Sequence, residues 1–242
     1  MDLLEYQGKQ LLARHGIPMQ SGRALTTVDD ALAAADACGY PVVVKAQVRV
    51  GGRGKAGGIK LARDAADVRE HATAILGMEI KGVTVRELWV GEALEIAEEY
   101  YASVVFDRRA KAPLVMLSRH GGVEIETVAE QDPDALATLH VDPLLGFQAF
   151  HGRRLAFDAG IAVDLVARVG DFLAKLYATF VGEEASLVEV NPLVVTPGSP
   201  GVAGERELVA LDAKVTLDDN SLYRHPENAE LRDLSSEDPQ ER

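Results

Sequence analysis

The chain has 242 residues, enough for a substantial core and one or two domains, with 47% hydrophobic and 26% charged content, the balance of a soluble globular protein. A net charge of −13 argues against a nucleic-acid scaffold, which carries a basic surface. The single cysteine, Cys38, excludes an internal disulfide. With no signal peptide and no apolar run of membrane length, the cytoplasm is the expected location.

Asp2–His15 reads as an amphipathic helix with Leu3, Leu4, Leu11 and Leu12 on its apolar side and Gly16 as its stop. Thr27 and Asp30 resemble a capping box opening a helix over Val28–Cys38, ended by Gly39. Cys38 is expected to be a core or inert residue. A strand follows over Val42–Val50, then a glycine loop, then the short run Ile59–Ala62. Asp64–Leu76 is a second helix, Val83–Val90 an alternating strand and Ile96–Phe106 a β-rich run. A turn at Asp107–Pro113 leads back into Leu114–Ser118. Asp134–Leu139 is expected as a short helix, and Asp142-Pro143 and His151–Arg154 as loops, with Arg153 and Arg154 as anion contacts. Val163–Phe180 is the longest helix, carrying Val163, Val166, Val169, Phe172, Leu173 and Leu176 at helical spacing. Leu187–Val195 and Leu208–Val215 are strands joined by the Pro/Gly-rich loop Thr196–Gly204. The end of the chain, within SSEDPQER (235–242), reads as a polar tail or linker over 236–242. Helices mixed with hairpins predict an α+β fold.

The densest chemical signal is VVVKAQVRVGGRGKAGG over Val42–Gly58. Glycines allow φ > 0 and close approach to a ligand, and successive backbone N–H groups beside cations cradle an anion. A Walker A loop is excluded, because Gly54-Lys55 is followed by Ala56 and Arg49 stands where the first glycine belongs. Gly52, Gly54 and Gly57 satisfy G-x-G-x-x-G, yet the loop leads into a strand, not the helix that a Rossmann site requires. Strand–loop–strand is the layout of a flap over phosphates, as in the glycine-rich loop of kinases. The alternative is a long hairpin turn with solvated cations. Lys45, at the end of an apolar run, needs a phosphate or carboxylate partner if it is buried.

A second constellation lies in LVEVNPLVV and LVALDAK. Glu189 and Asn191 alternate onto one face, and Asp212 and Lys214 meet them if the two strands pair. Carboxylates and a carboxamide are hard oxygen ligands suited to Mg²⁺; the alternative is a polar hairpin face with a Glu–Lys pair. Pro192 is expected to interrupt the ladder beside Asn191. Glu95, Glu98 and Glu99 read either as a solvated strand end or as a source of one acceptor in a nucleotide cleft. The six histidines are scattered without zinc-site spacing, and no G-x-S-x-G elbow is present.

Together, EYQGKQLLARHGIP, VVVKAQVRVGGRGKAGGIKLA, IAEEYY, GGVEIETVAE, DPLLG, VEVNPLVVT and LDAKVTLDDNSLYRHP resemble, in order and spacing, the amino-terminal half of the succinate–CoA ligase β subunit. The resemblance spans residues 1–242. It implies an ATP-grasp fold over about 1–235, a flap lobe at about 20–95 and a second lobe at 96–235 holding the nucleotide between them. It also implies reversible succinyl-CoA formation, a step of the tricarboxylic acid cycle, through a phosphohistidine on a partner α subunit. No catalytic residue is then expected in this chain. Lys45, Gly52, Arg53, Gly54 and Glu99 are implied to contact ATP or GTP, and Asn191 and Asp212 to bind Mg²⁺. The sequence departs from the family at Gly91, where an acid is usual, and at Arg49 and Val50. The family's carboxy-terminal CoA-ligase domain is absent from these residues. The alternatives are another ATP-grasp ligase, acting on malate or citrate or joining carboxylate to amine, and a non-catalytic nucleotide-binding homologue.

Overall fold

The computed structural model describes residues 1–197 and 206–232. Most of the Thr196–Gly204 loop and the SSEDPQER tail lie outside the described residues. Helix α1 (Glu5–Arg14) comes first, followed by β1 (Gly22–Leu25), α2 (Val28–Cys38), β2 (Val42–Gln47), β3 (Ile59–Ala62) and α3 (Ala65–Ile75). A small hairpin, β4 (Glu79–Ile80) and β5 (Val83–Thr84), leads to β6 (Glu87–Glu92). The larger part then runs β7 (Glu98–Asp107), β8 (Ala112–Ser118), α4 (Ile125–Gln131), β9 (Leu136–His140), α5 (Ala149–Asp158), α6 (Val166–Gly182) and β10 (Ala185–Val195). It closes with β11 (Leu208–Ala210), β12 (Lys214–Leu217) and α7 (Pro226–Ala229).

Two antiparallel sheets organise the molecule. The first has strand order β1-β6-β2-β3. Val42, Val44, Ala46, Leu88 and Val90 on one face pack with Ala31, Ala35, Val68, Ala72 and Ile75 from α2 and α3. Strand alternation therefore turns Lys45, Gln47 and Trp89 to the opposite face, where Lys45 and Trp89 are direct cross-strand partners. The second sheet has order β11-β10-β7-β8-β9, with β12 also on β10. Its core holds Ala102, Val104, Val115, Leu117, Val188 and Val190 against Leu155, Val169, Leu173 and Leu176 of α5 and α6. Tyr101, Ser103 and Glu189 occupy the other face. Helix α1 joins the two bodies. Leu11 and Leu12 belong to the second core, while Tyr6 N–H donates to Gln47 Oε1 (3.0 Å) on β2.

The expected α2 is reproduced residue for residue, with Thr27 Oγ1 accepting from Asp30 N (3.1 Å) and Gly39 at φ +86° as its stop. Several expectations are corrected. His151–Arg154 lies inside α5, not in a loop. Gly152 is there for packing, since a Cβ would sit 2.6 Å from the Gly170 carbonyl of α6. Asp134–Leu139 is mainly strand: one 3₁₀ turn at Pro133–Ala135 gives way to β9, whose pairing with β8 overrides local helix preference. The longest helix starts at Val166, and Val163 is exposed. Leu208–Val215 is broken into β11 and β12 at Leu211–Ala213, and Val83–Val90 into β5 and β6. Cys38 is exposed, so it is no core residue.

Candidate functional site

The first turns of α1 place Glu5 and Lys9 four residues apart, on one side of the helix. That side meets the Lys45 face of the first sheet. Glu5, 3% exposed, accepts from Lys9 (2.8 Å), from Lys45 (3.1 Å) and from the Arg53 guanidinium. Lys45 also donates to Gln20 Oε1 (3.3 Å) and to the Leu211 carbonyl (2.9 Å). Arg53 reaches on to Asp212 Oδ2 (2.7 Å). Lys45 and Arg53 from the flap stretch and Asp212 from the β11–β12 connection thus meet in one network centred on Glu5 of α1.

The charges explain how burial is tolerated. Burial alone would push the Glu5 carboxyl up, but Lys45, Lys9 and Arg53 hold it well below the usual carboxylate range. Lys9 is pulled down to about 8, by burial first and by Lys45, against the opposing pull of Glu5. Its ammonium lies 3.7 Å from the Trp89 ring centroid, with Lys45 at 5.1 Å, inside cation–π range. Burial favours loss of the Arg53 proton, and Glu5 and Asp212 overcome this to raise its pKa.

The glycine loop connects β2 and β3 as an antiparallel hairpin, the strand–loop–strand layout expected. It closes on itself: Ala56 N donates to Gly52 O (3.1 Å), Gly57 N to Gly54 O (3.0 Å) and Gly58 N to Arg53 O (2.8 Å). Gly52 and Gly57 adopt φ of +89° and +80°, a region that side chains strain to reach. Arg53 points inward and is buried, so the reading of the loop as a turn with solvated cations fails for it. Lys55 stays exposed and faces Glu124 across the second body at 3.5 Å.

On the second sheet, β10 loses register with β7 between Val190 and Leu193, and its β12 pairing stops at Glu189 while its β11 pairing starts at Leu193. This is the interruption expected beside Pro192. Asn191 sits in it, accepting at Oδ1 from Gly122 N (2.7 Å) and donating from Nδ2 to Val123 O (3.0 Å). Opposite, Leu211 N–H donates to Pro192 O (3.1 Å), which brings the Asp212 backbone alongside. Asp212 Oδ1 accepts from Ala213 N (2.8 Å). Glu189 pairs across the ladder with Lys214 and accepts from Tyr101 OH (3.0 Å). Its carboxyl is pushed up, by burial first and then by Asp212 and Glu126, with Tyr101 and Lys214 opposing.

Of the three glutamates, Glu95 is exposed, and Glu98 is taken by Tyr100 OH (2.5 Å) and Arg206. Glu99 lies against Gly122: a Cβ there would come within 2.6 Å of its Oε2. Gly122 therefore ties Glu99 to Asn191. Glu99 also lines a cavity of about 680 Å³ with Arg119, His120, Val123 and Asp132. Arg153 and Arg154 are not brought to this site; Arg154 pairs with Asp158 on its own helix. Gly91 has a local cause, since a Cβ would lie 2.2 Å from both the Ser21 carbonyl and the Trp89 ring. Val50 packs against the first core.

Sequence reasoning missed Glu5, Lys9 and Gln20. The signal for Glu5 and Lys9 is their i, i+4 spacing on α1; Gln20 carries none.

A family model described as an ATP-grasp domain matches residues 2–195. Along its full length the chain is 48% identical to the β subunit of an ADP-forming succinate–CoA ligase from Rubrobacter xylanophilus, covering 61% of that protein. It is 46% identical to the β subunit of a GDP-forming succinate–CoA ligase from Thermus thermophilus, again over all of the chain and 62% of the relative. Among solved structures, an acetyl-coenzyme A synthetase from Ca. Korarchaeum cryptofilum in complex with coenzyme A and Ca-AMPCP superposes with a TM-score of 0.72 at 19% identity, covering 90% of this chain and 93% of that one. An ATP citrate lyase from Methanothrix soehngenii gives 0.67 at 24% identity, covering 92% and 52%. At such identities the structures speak for the fold alone. The matched domain spans residues 2–195, most of the chain, and the chain therefore belongs to the ATP-grasp family.

Proposed function

We propose that this chain is the nucleotide-binding part of a succinate–CoA ligase β subunit. In this reading it serves phosphoryl transfer from a Mg²⁺–nucleotide, ATP or GTP, to a histidine of an α subunit, leading to reversible succinyl-CoA formation in the cytoplasm. The observation that carries the reading is the convergence of Lys45, Arg53 and Asp212 on one buried network between two sheets. The names of the relatives support the substrate and the companion subunit. The chain spans about 61% of their length, so the complete reaction is proposed for the assembly.

The residues present fit a divalent cation. Asp212 and Asn191 offer hard oxygens, and the Arg53 guanidinium against Asp212 Oδ2 is a stand-in cation. When bound, Mg²⁺ would neutralise phosphate oxygens at Asn191 and Asp212. Phosphoryl transfer is mostly positioning and charge stabilisation. Lys45 and Arg53 would offset phosphate charge, the backbone of Gly52 and Gly54 would orient the phosphate end, and Glu99 would accept from a nucleotide hydroxyl or amine.

The test is transfer of label from γ-labelled ATP to the α subunit of a relative, with Mg²⁺ and this chain. Acid-labile phosphate on the α polypeptide, lost with Asp212→Ala, is expected. Label transfer undiminished by Asp212→Ala would overturn the assignment.

A further inference from the structure

Arg53 is the one residue through which the flap touches both Glu5 and Asp212 among the described contacts. The two ends of this bridge differ. Glu5 is sealed, its side chain 2% exposed, and holds Lys9, Lys45 and Arg53 together; the Asp212 side chain is 32% exposed. Asp212 Oδ1 is engaged by its neighbour's backbone N–H. The other oxygen, Oδ2, turns away from that bond and is covered by Arg53 at 2.7 Å. A divalent cation on that oxygen would face a guanidinium at contact distance, and like charges repel.

We propose that Arg53 is a latch whose pairing with Asp212 and cation binding at Asp212 are mutually exclusive: it holds Asp212 while the site lacks nucleotide, and gives it up to the phosphates when a divalent cation arrives with a polyphosphate. This rests on the reading of Asp212 as a metal ligand. Glu5 stays with Arg53 throughout and is its positioning residue. The phosphates supply the guanidinium edge released from Asp212 with a replacement anion. Cation and nucleotide therefore bind cooperatively, and the bare protein holds the cation poorly. The coupling is reciprocal, as linkage requires.

Mn²⁺ is the probe, followed by the electron paramagnetic resonance of the free ion, on the 242-residue chain with and without ADP. Without ADP, Arg53→Gln binds Mn²⁺ about 10-fold or more tightly than the parent, and Arg53→Gln/Asp212→Asn loses that gain. Arg53→Lys keeps the charge on Glu5 but cannot present two guanidinium edges, and gives a smaller gain. Hydrogen exchange adds a readout that needs no metal: Asp212→Asn speeds amide exchange across 51–58 in the bare protein. Parent-like Mn²⁺ affinity in both Arg53 variants, with Asp212→Asn still abolishing Mn²⁺ binding in the ADP complex, sinks the latch and leaves the metal site standing. Mn²⁺–ADP binding unaffected by Asp212→Asn removes the metal site, and the latch with it.

Discussion

Replacing Glu5 by Gln removes the anion at the centre of the network while keeping its shape. The parent sets Lys9, Lys45 and Arg53 against Glu5 and Asp212; the variant leaves three cations with Asp212 alone. Glu5 is 3% exposed, so water cannot take its place. Removing one partner of a buried ion pair costs about 3–5 kcal/mol, because the surviving charge stays buried and uncompensated. For a domain of this size that corresponds to a fall in Tm of about 6–20 °C. The assay is thermal unfolding at pH 7 followed by emission of Trp89, the only tryptophan, whose ring carries Lys9. Asp158→Asn is the control: its pair with Arg154 is exposed and contributes about 0.5 kcal/mol or less. If Glu5→Gln unfolds within about 1 kcal/mol of the parent, the network is not the buried, mutually dependent charge cluster argued above.

Lys9 gives a pH dependence of defined sign. Its pKa is about 8 in the folded chain against 10.5 ordinarily, so between those values the unfolded state binds more protons and stability rises with pH. The full gain is about 3 kcal/mol, and Lys9→Met removes that slope in denaturant titrations run at pH 7.5 and pH 10. Gly91→Ala drives a methyl group into the Trp89 ring and the Ser21 carbonyl and costs about 1–3 kcal/mol. Adding Trp89→Leu recovers part of that loss in a double-mutant cycle. Gly152→Ala forces α5 away from α6 at Gly170, at a similar cost read by chemical denaturation.

What the sequence disclosed follows from where the signals are local. The α2 boundaries lie in its own cap and stop residues, Thr27 and Gly39, and the flap lies in its five glycines between two apolar runs. The break beside Asn191 follows from Pro192, which has no N–H to give the ladder. What stayed hidden depends on partners distant in sequence. Leu136–His140 is a strand because β8 lies beside it. The Gly152–Arg153–Arg154 run reads locally as a loop, whereas its glycine serves the packing of α5 on α6. Glu5 is 40 residues from Lys45 and 48 from Arg53, and nothing in α1 alone indicates that its acid faces three cations. Lys45 was expected to need a phosphate or a carboxylate; the carboxylate is Glu5.

The most direct measurement is calorimetry of ADP binding in the presence of Mg²⁺, for the parent, Lys45→Ala and Asp212→Ala. Losing one hydrogen bond to a charged phosphate or metal ligand costs about 1.5–3 kcal/mol of binding, and at least a tenfold weakening is expected in each variant. Equal affinity in all three proteins would mean that the nucleotide does not use the Lys45–Asp212 network, and the account would fail at its centre.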